Sequence, residues 1–193
     1  MAIDCICSCC TPNLTDMYAC TNHSKQKYCD LYNLKFVFET IENFDKHPAW
    51  YKIVQILRLF DKYETVLYID ADAGFIKYDV DINDYFDSVS DVVLCKTDGS
   101  FNTGVFTIRR SDKTIAALNY ALTLYDEYKS DPFYEQTALI EAFKKYDVSI
   151  TQISDALFNA SPFNSTKETV ILHLMGMIKE HLTVSHWMNY FLR

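Results

Sequence analysis

Val66-Leu67-Tyr68-Ile69-Asp70-Ala71-Asp72-Ala73-Gly74 drives an apolar, β-branched run straight into two acidic side chains one residue apart. Val66 to Ile69 reads as a central strand of an α/β sheet, and ligands of open α/β sheets collect beyond the carboxyl ends of the strands. Carboxylate oxygens are hard donors suited to Mg²⁺ or Mn²⁺, whose usual work is to neutralise phosphates. Asp70 and Asp72 are therefore candidate metal ligands, although the motif is short and recurs at Asp79-Val80-Asp81. That second copy follows no apolar strand and continues into Ile82-Asn83-Asp84, the pattern of a loop or a helix cap.

Upstream, Cys5-Ile6-Cys7-Ser8-Cys9 reads as a first strand with small side chains. Thr11-Pro12-Asn13 is a turn, and Thr15 can cap a helix running to about Leu31, with Tyr18 and Cys29 on its apolar side. Lys35 to Thr40 reads as a second strand. Past His47-Pro48, Ile53, Ile56, Leu57 and Phe60 recur at helical spacing, which predicts a helix from about Ala49 to Tyr63. Strand and helix alternating in this way open a parallel sheet. Downstream come a short helical piece near Ile82 to Phe86, a strand at Val92 to Cys95 and the segment Phe101 to Ile108. Helices are expected at about Lys113 to Tyr128 and Tyr134 to Tyr146, separated by the breaker Asp131-Pro132. Strands at Val148 to Ile153 and Val170 to Leu174 follow, and Asp70, Asp72 and His173 are expected at strand ends of one sheet.

The 193 residues are 49% hydrophobic and 15% aromatic, enough for a real core and short enough to suggest one domain, residues 1–193. A formal charge of −8 with no Lys/Arg cluster argues against nucleic acid or an anionic membrane surface as partner. The seven cysteines form no paired Cys-x₂-Cys sets, so Cys5, Cys7, Cys9 and Cys10 are expected as reduced core residues instead of a zinc site. No secretory signal and no run of membrane-spanning length is evident. A cytoplasmic protein follows, in which the sequons at Asn13, Asn22, Asn159 and Asn164 carry no glycans. With four glycines there is no Gly-x-Gly-x-x-Gly or Walker loop, so a phosphate must be held by a metal and a few cations.

Three motifs in one order then resemble a family. The strand ending in Asp70-Ala71-Asp72 is similar to the Asp-x-Asp motif of the GT-A class of nucleotide-sugar-dependent glycosyltransferases. Phe101-Asn102-Thr103-Gly104-Val105 resembles the Phe-Asn-x-Gly-Val segment of its glycogenin-like and galactosyltransferase-like members, and His173-Leu174-Met175-Gly176-Met177-Ile178-Lys179 their His-x-x-Gly-x-x-Lys pattern. The resemblance spans about residues 1 to 180. It implies a single GT-A domain, α/β with a mostly parallel central sheet and helices on both faces. The reaction implied moves a sugar from a nucleoside-diphosphate sugar, UDP-linked by analogy, to a hydroxyl acceptor such as a glycan.

The same resemblance implies roles. Asp70, Asp72 and His173 would hold Mn²⁺ or Mg²⁺, with Asp70 also touching the ribose, Lys179 against the diphosphate, and Ala71 and Gly176 among the residues that bind the donor. Asn102 and Gly104 would meet the sugar, through an amide and through close backbone approach. Trp50 and Lys52 fall on the helix before the acidic strand, where the family often turns a cation to the nucleotide, though either could be a surface or core residue. Glu135-Gln136 lies where retaining relatives carry Asp-Gln against the transferred sugar, which makes these two the candidate catalytic residues. Glu for Asp departs from that pattern, and a longer carboxylate could instead serve as the base of an inverting enzyme.

Two further departures are Glu180-His181 after Lys179, where many relatives have Pro-Trp, and the short C-terminus. In its compactness the chain is similar to glycosyltransferases encoded by large algal viruses, which would put it in a host cytoplasm. Competing readings are a non-catalytic nucleotide-sugar-binding module and a haloacid-dehalogenase-like phosphatase. The phosphatase fold places its Asp-x-Asp on the first strand, whereas here at least two strands precede it.

Overall fold

Cys5–Cys10 forms β1, and all six of its side chains are buried. The structure, a computed structural model, describes residues 2–86, 89–97, 100–175 and 191. β1 lies in parallel between β2 (Lys35–Thr40) and β3 (Thr65–Ile69), so it is flanked on both sides and its residues need no polar alternation. Further along the chain come β4 (Ala73–Phe75), β5 (Val92–Thr97), β6 (Ser100–Arg109), β7 (Ile150–Ser154) and β8 (Ile171–His173). The central sheet has the order β2-β1-β3-β6-β5-β7, and β6 is the reversed strand, antiparallel to both β3 and β5.

The helices are α1 (Ala19–Tyr32), α2 (Tyr51–Leu59), α3 (Asn83–Phe86), α4 (Asp112–Thr123), α5 (Tyr125–Tyr128), α6 (Glu135–Lys145) and α7 (Asp155–Phe158). Alternation along the strands sorts them onto two faces. Cys5, Cys7, Cys9, Val66, Tyr68, Phe106 and Ile108 pack with Ile53 and Ile56 of α2, Leu118 of α4 and Phe143 of α6. Ile6, Leu67, Ile69 and Val105 pack instead with Tyr28 and Cys29 of α1, Phe86 of α3 and Phe158 of α7. Each fully buried Ile or Phe here contributes about 1.5–3 kcal/mol. The expected sheet with helices on both faces is therefore present.

Burial pushes the Cys5 and Cys9 thiols up to about 12, so these side chains sit as neutral thiols in the core. The second acidic pair caps a helix, since Asp81 Oδ1 accepts from the Asn83 N–H at 2.9 Å where α3 begins.

Three expectations need correction. The first helix starts at Ala19 and not near Thr15, because Pro12–Leu14 forms a separate 3₁₀ turn that Thr15 closes. Pro suits the first turn of any helix, so the sequence signal could not tell the two apart. The long helix expected to Tyr128 breaks at Leu124 into α4 and α5. Most consequential, β8 does not join the central sheet. It pairs antiparallel with β4, placing Ala73 opposite His173. Asp70 therefore directly follows a strand of the main sheet, whereas Asp72 directly precedes, and His173 ends a strand of, a two-stranded ribbon beside it.

Gly74 lets that ribbon lie against α1. A Cβ there would run into Ser24 Oγ and stand 3.0 Å from the Phe191 ring, and Ser24 Oγ accepts from the Phe75 N–H at 3.1 Å. Among the described residues no helix is long and apolar enough to cross a membrane.

Candidate active site

The turn that links the two sheets carries Asp70, Ala71 and Asp72, and each of its carbonyls has a partner. Asp70 O accepts from Ala73 N–H at 3.1 Å and from Lys25 Nζ at 2.9 Å. Ala71 O accepts from Thr21 Oγ1 at 2.5 Å, and Asp72 O from the Leu174 N–H at 3.0 Å. At the entry, Asp70 N–H donates to Gly104 O at 2.7 Å, which ties the Asp-x-Asp turn directly to the Asn102-Thr103-Gly104 segment. With its backbone fixed by α1, β6 and Leu174 just after β8, the turn holds its carboxylates in place before any ligand arrives.

Asp70, Asp72 and His173 converge, each offering a ligand atom within 4.8 Å of the others. His173 Nε2 lies 3.2 Å from Asp72 Oδ1 and 3.7 Å from Asp70 Oδ2. Its other nitrogen, Nδ1, lies 2.7 Å from Asn159 Oδ1. An amide oxygen can only accept, so in the neutral ring it takes the Nδ1 proton and leaves Nε2 as a bare lone pair facing two carboxylates. Lone pairs aimed at one another repel unless a cation lies between them. One nitrogen and two hard oxygens suit a divalent ion, and the buried Asn159 behind the ring supplies the orienting partner that metal-bound histidines keep. The donor set therefore fits Mn²⁺ or Mg²⁺. Reversing the Asn159 amide would instead aim Nδ2, which has no partner among the described residues, at the ring and move the ring proton toward Asp72.

Gly104 lies against the ring of His173. A Cβ there would lie 2.8 Å from His173 Nδ1 and 2.8 Å from Asn102 Oδ1, so its missing side chain makes room for the imidazole. Asn102 spends its amide oxygen on the Gly104 N–H at 2.7 Å.

Lys52, on the helix before the acidic strand, is 3% exposed. Its Nζ reaches Glu135 Oε1 at 2.7 Å, Asp70 Oδ1 at 3.2 Å and the Thr103 carbonyl at 3.1 Å. Burial alone would lower its pKa, but the two carboxylates hold it above the ordinary lysine value. Glu135 is raised by burial, which outweighs its share of the one lysine. Gln136 Oε1 accepts from the Thr103 N–H at 3.1 Å. Trp50 is core, edge-on to Tyr125 with centroids 5.2 Å apart.

These groups line one cavity of about 480 Å³ at the ends of β1 and β3, with Asp70, Ala71, Asp72, Asn102, Gly104, Lys52, Glu135, Gln136 and His173 all on its walls. Gly176 and Lys179 lie outside the described residues.

Sequence reasoning missed Thr21, Lys25 and Asn159. Lys25 is fully enclosed, bonded also to Ser8 Oγ at 3.1 Å, and burial pushes its ammonium down to about 8 against the pull of Asp72 and Asp70. In Asn22-His23-Ser24-Lys25-Gln26-Lys27 nothing distinguishes it from a solvated lysine, and the only available signal was the weak polarity of a helix that must cover a sheet.

No family model matches the sequence, and none of the curated proteins searched matches it. Solved structures do match in shape. A glycosyltransferase involved in the glycosylation of the major capsid of PBCV-1 has a TM-score of 0.78 at 19% identity, covering 96% of this chain and 99% of that one. The glycosyltransferase GlyE of Streptococcus pneumoniae TIGR4 has a TM-score of 0.67 at 15% identity; all of this chain matches, over 61% of GlyE's length. The galactosyltransferase LgtC, solved with donor and acceptor sugar analogs, has a TM-score of 0.59 at 12% identity, over 89% of this chain and 87% of that one. At such identities the likeness establishes architecture, and the architecture of this chain is the GT-A fold of glycosyltransferases.

Proposed function

We propose that residues 1–193 form one glycosyltransferase domain that moves a sugar from a nucleoside-diphosphate sugar, UDP-linked, to a hydroxyl of a glycan acceptor with the help of Mn²⁺ or Mg²⁺. The observation that carries this reading is the convergence of Asp70, Asp72 and His173 in the cavity of a chain with the glycosyltransferase fold.

The chemistry follows from the leaving group. Breaking the bond to the anomeric carbon puts negative charge on the β-phosphate, and a divalent ion held by Asp70, Asp72 and His173 would offset it. The chain's own residues supply orientation. Lys25 and Thr21 fix the Asp-x-Asp backbone, and Asn159 fixes the ring of His173. Lys52 spans Asp70 and Glu135, setting the distance between the diphosphate end of the site and its sugar end. Asn102 and Gln136 offer amide groups to sugar hydroxyls. Glu135 is already bonded to a buried ammonium, which supports a hydrogen-bonding role and a retaining reaction over service as a free base. Gly176 and Lys179 complete the diphosphate side in this reading.

A thermal-shift screen of UDP-, GDP- and CMP-linked sugars with and without Mn²⁺ tests it, because a ligand that binds only the folded state raises the melting temperature. UDP-sugars should stabilise the protein in the presence of the metal and not in its absence. Stabilisation without dependence on metal, or by no nucleotide sugar, would refute the reading. Binding without slow donor hydrolysis would favour a non-catalytic module.

A further inference from the structure

β2 is an edge of the central sheet, and among the described residues it has a strand on one side only. One hydrogen bond tells which of its backbone groups are free. The Ile41 N–H donates to Cys10 O at 2.8 Å, and the register with β1 runs unbroken from Lys35 to Thr40, so Lys35, Val37 and Glu39 turn their N–H and C=O groups to β1. Phe36, Phe38 and Thr40 therefore turn theirs outward. Side chains alternate as well. Lys35, Val37 and Glu39 line a groove of about 320 Å³ against the end of α2, while Phe36 and Phe38 pack toward α1. Phe36, Val37 and Phe38 are only half-buried. An edge of this kind templates the pairing of another strand, and chains that must stay apart guard it with a proline, a bulge or a covering element. β2 has no proline and no bulge, and no described strand covers it.

We infer that β2 pairs antiparallel with β2 of a second copy of this chain, across a two-fold axis through Val37, joining two six-stranded sheets into one. In that register Phe36 faces Phe38 of the second copy, and their outward N–H and C=O groups exchange hydrogen bonds. Val37 faces its own copy, and Lys35 faces Glu39, at the positions where opposed side chains come closest. An axis through Phe36 or Phe38 would keep the backbone bonds but would set Lys35 against Val37 or Ile41, and Glu39 against Asn33 or Val37. Only the axis through Val37 pairs every charge of the strand. This self-complementarity selects a second copy over a partner of other sequence. Lys35, Arg58 and Lys62 against the single carboxylate of Glu39 line the groove, so this edge escapes the negative charge of a chain at −8. The cavity lies at the carboxyl ends of β1 and β3, and β1 is parallel to β2, so the two cavities would open at opposite ends of the joined sheet. The pairing goes beyond the glycosyltransferase reading and does not depend on it.

Sedimentation velocity of the full chain over a concentration series should show monomer in equilibrium with dimer and nothing larger. Lys35→Glu sets carboxylate against carboxylate at both ends of the paired strands, and Glu39→Lys sets ammonium against ammonium, so each should weaken self-association about tenfold or more. Mixed in equal amounts, the two variants should pair again, because each carries the charges that the other lacks. The double variant Lys35→Glu/Glu39→Lys should associate like the native chain. A protein that stays monomeric throughout would overturn the proposal. So would a dimer that neither substitution weakens, or weakened variants that recover neither on mixing nor in the double variant. Growth into ever larger species would also overturn it, since pairing of β2 with the opposite edge β7 gives an open array. Metal-dependent stabilisation by UDP should be the same in the variants as in the native chain, so failure of the pairing and failure of the donor reading are read separately.

Discussion

Lys52→Met removes the only ammonium within ion-pair distance of Glu135 among the described residues while nearly preserving side-chain volume. Lys52 and Glu135 are 3% and 5% exposed, so the glutamate would stay buried, facing the Thr103 hydroxyl at 3.5 Å and no cation. Breaking a buried pair by deleting one partner costs about 3–5 kcal/mol. Protonation offers the variant an escape, and this fixes the pH dependence. Burial already raises Glu135, and without Lys52 its folded value rises further above the unfolded value of about 4.3. A carboxyl raised on folding binds more protons in the native state, so the stability it contributes is present at low pH and lost as pH rises through the folded value. Over that window the slope is about −1.4 kcal/mol per pH unit. The destabilisation of Lys52→Met should therefore be full at pH 8 and shrink toward pH 5. Urea unfolding at both pH values, followed through the buried Trp50, measures it. A loss below about 1 kcal/mol, or one independent of pH, would refute the ion-pair argument.

Three further outcomes are expected. Asp72→Ala should abolish metal-dependent UDP stabilisation while Asp81→Ala, which only uncaps α3, leaves it nearly intact; equal losses would mean that the wrong acidic pair carries the metal. Asn159→Leu should weaken Mn²⁺ binding by about 10- to 100-fold in calorimetry, and Asn159→Asp, which still accepts from His173 Nδ1, should largely keep it. Unchanged affinity in Asn159→Leu would remove the orienting role. Glu135→Gln should keep appreciable turnover, with NMR of the fresh product showing the donor's anomeric configuration; a rate loss of about 10²-fold with an inverted product would make Glu135 the base.

The central sheet was legible because its inner strands are buried and read as apolar runs, β1 and β3 at every residue, and even the partly buried edge strand β2 occupies the expected residues. The ribbon was not. β4 has three residues, Ala73-Gly74-Phe75, too few for any periodicity, and without it the pairing of His173 could not be foreseen. Asp70, Asp72, His173, Asn102, Gly104, Lys52, Glu135 and Gln136 do share one cavity, since their types and order carried the family pattern. What supports them was invisible. Lys25, Thr21 and Asn159 act through contacts across 45, 50 and 14 residues of sequence, and nothing local marks them. The steric need for glycine at 104 was invisible for the same reason, because His173 arrives from the far end of the chain.

Metal-dependent transfer from a nucleotide sugar is tested most directly by chromatography of the nucleotide released when the protein is incubated with a panel of UDP-sugars. With Mn²⁺, at least one donor should yield UDP slowly through transfer to water; the yield should vanish with a chelator and in Asp72→Ala. UDP release that survives both, or intact donor across the panel with Mn²⁺ present, would contradict it.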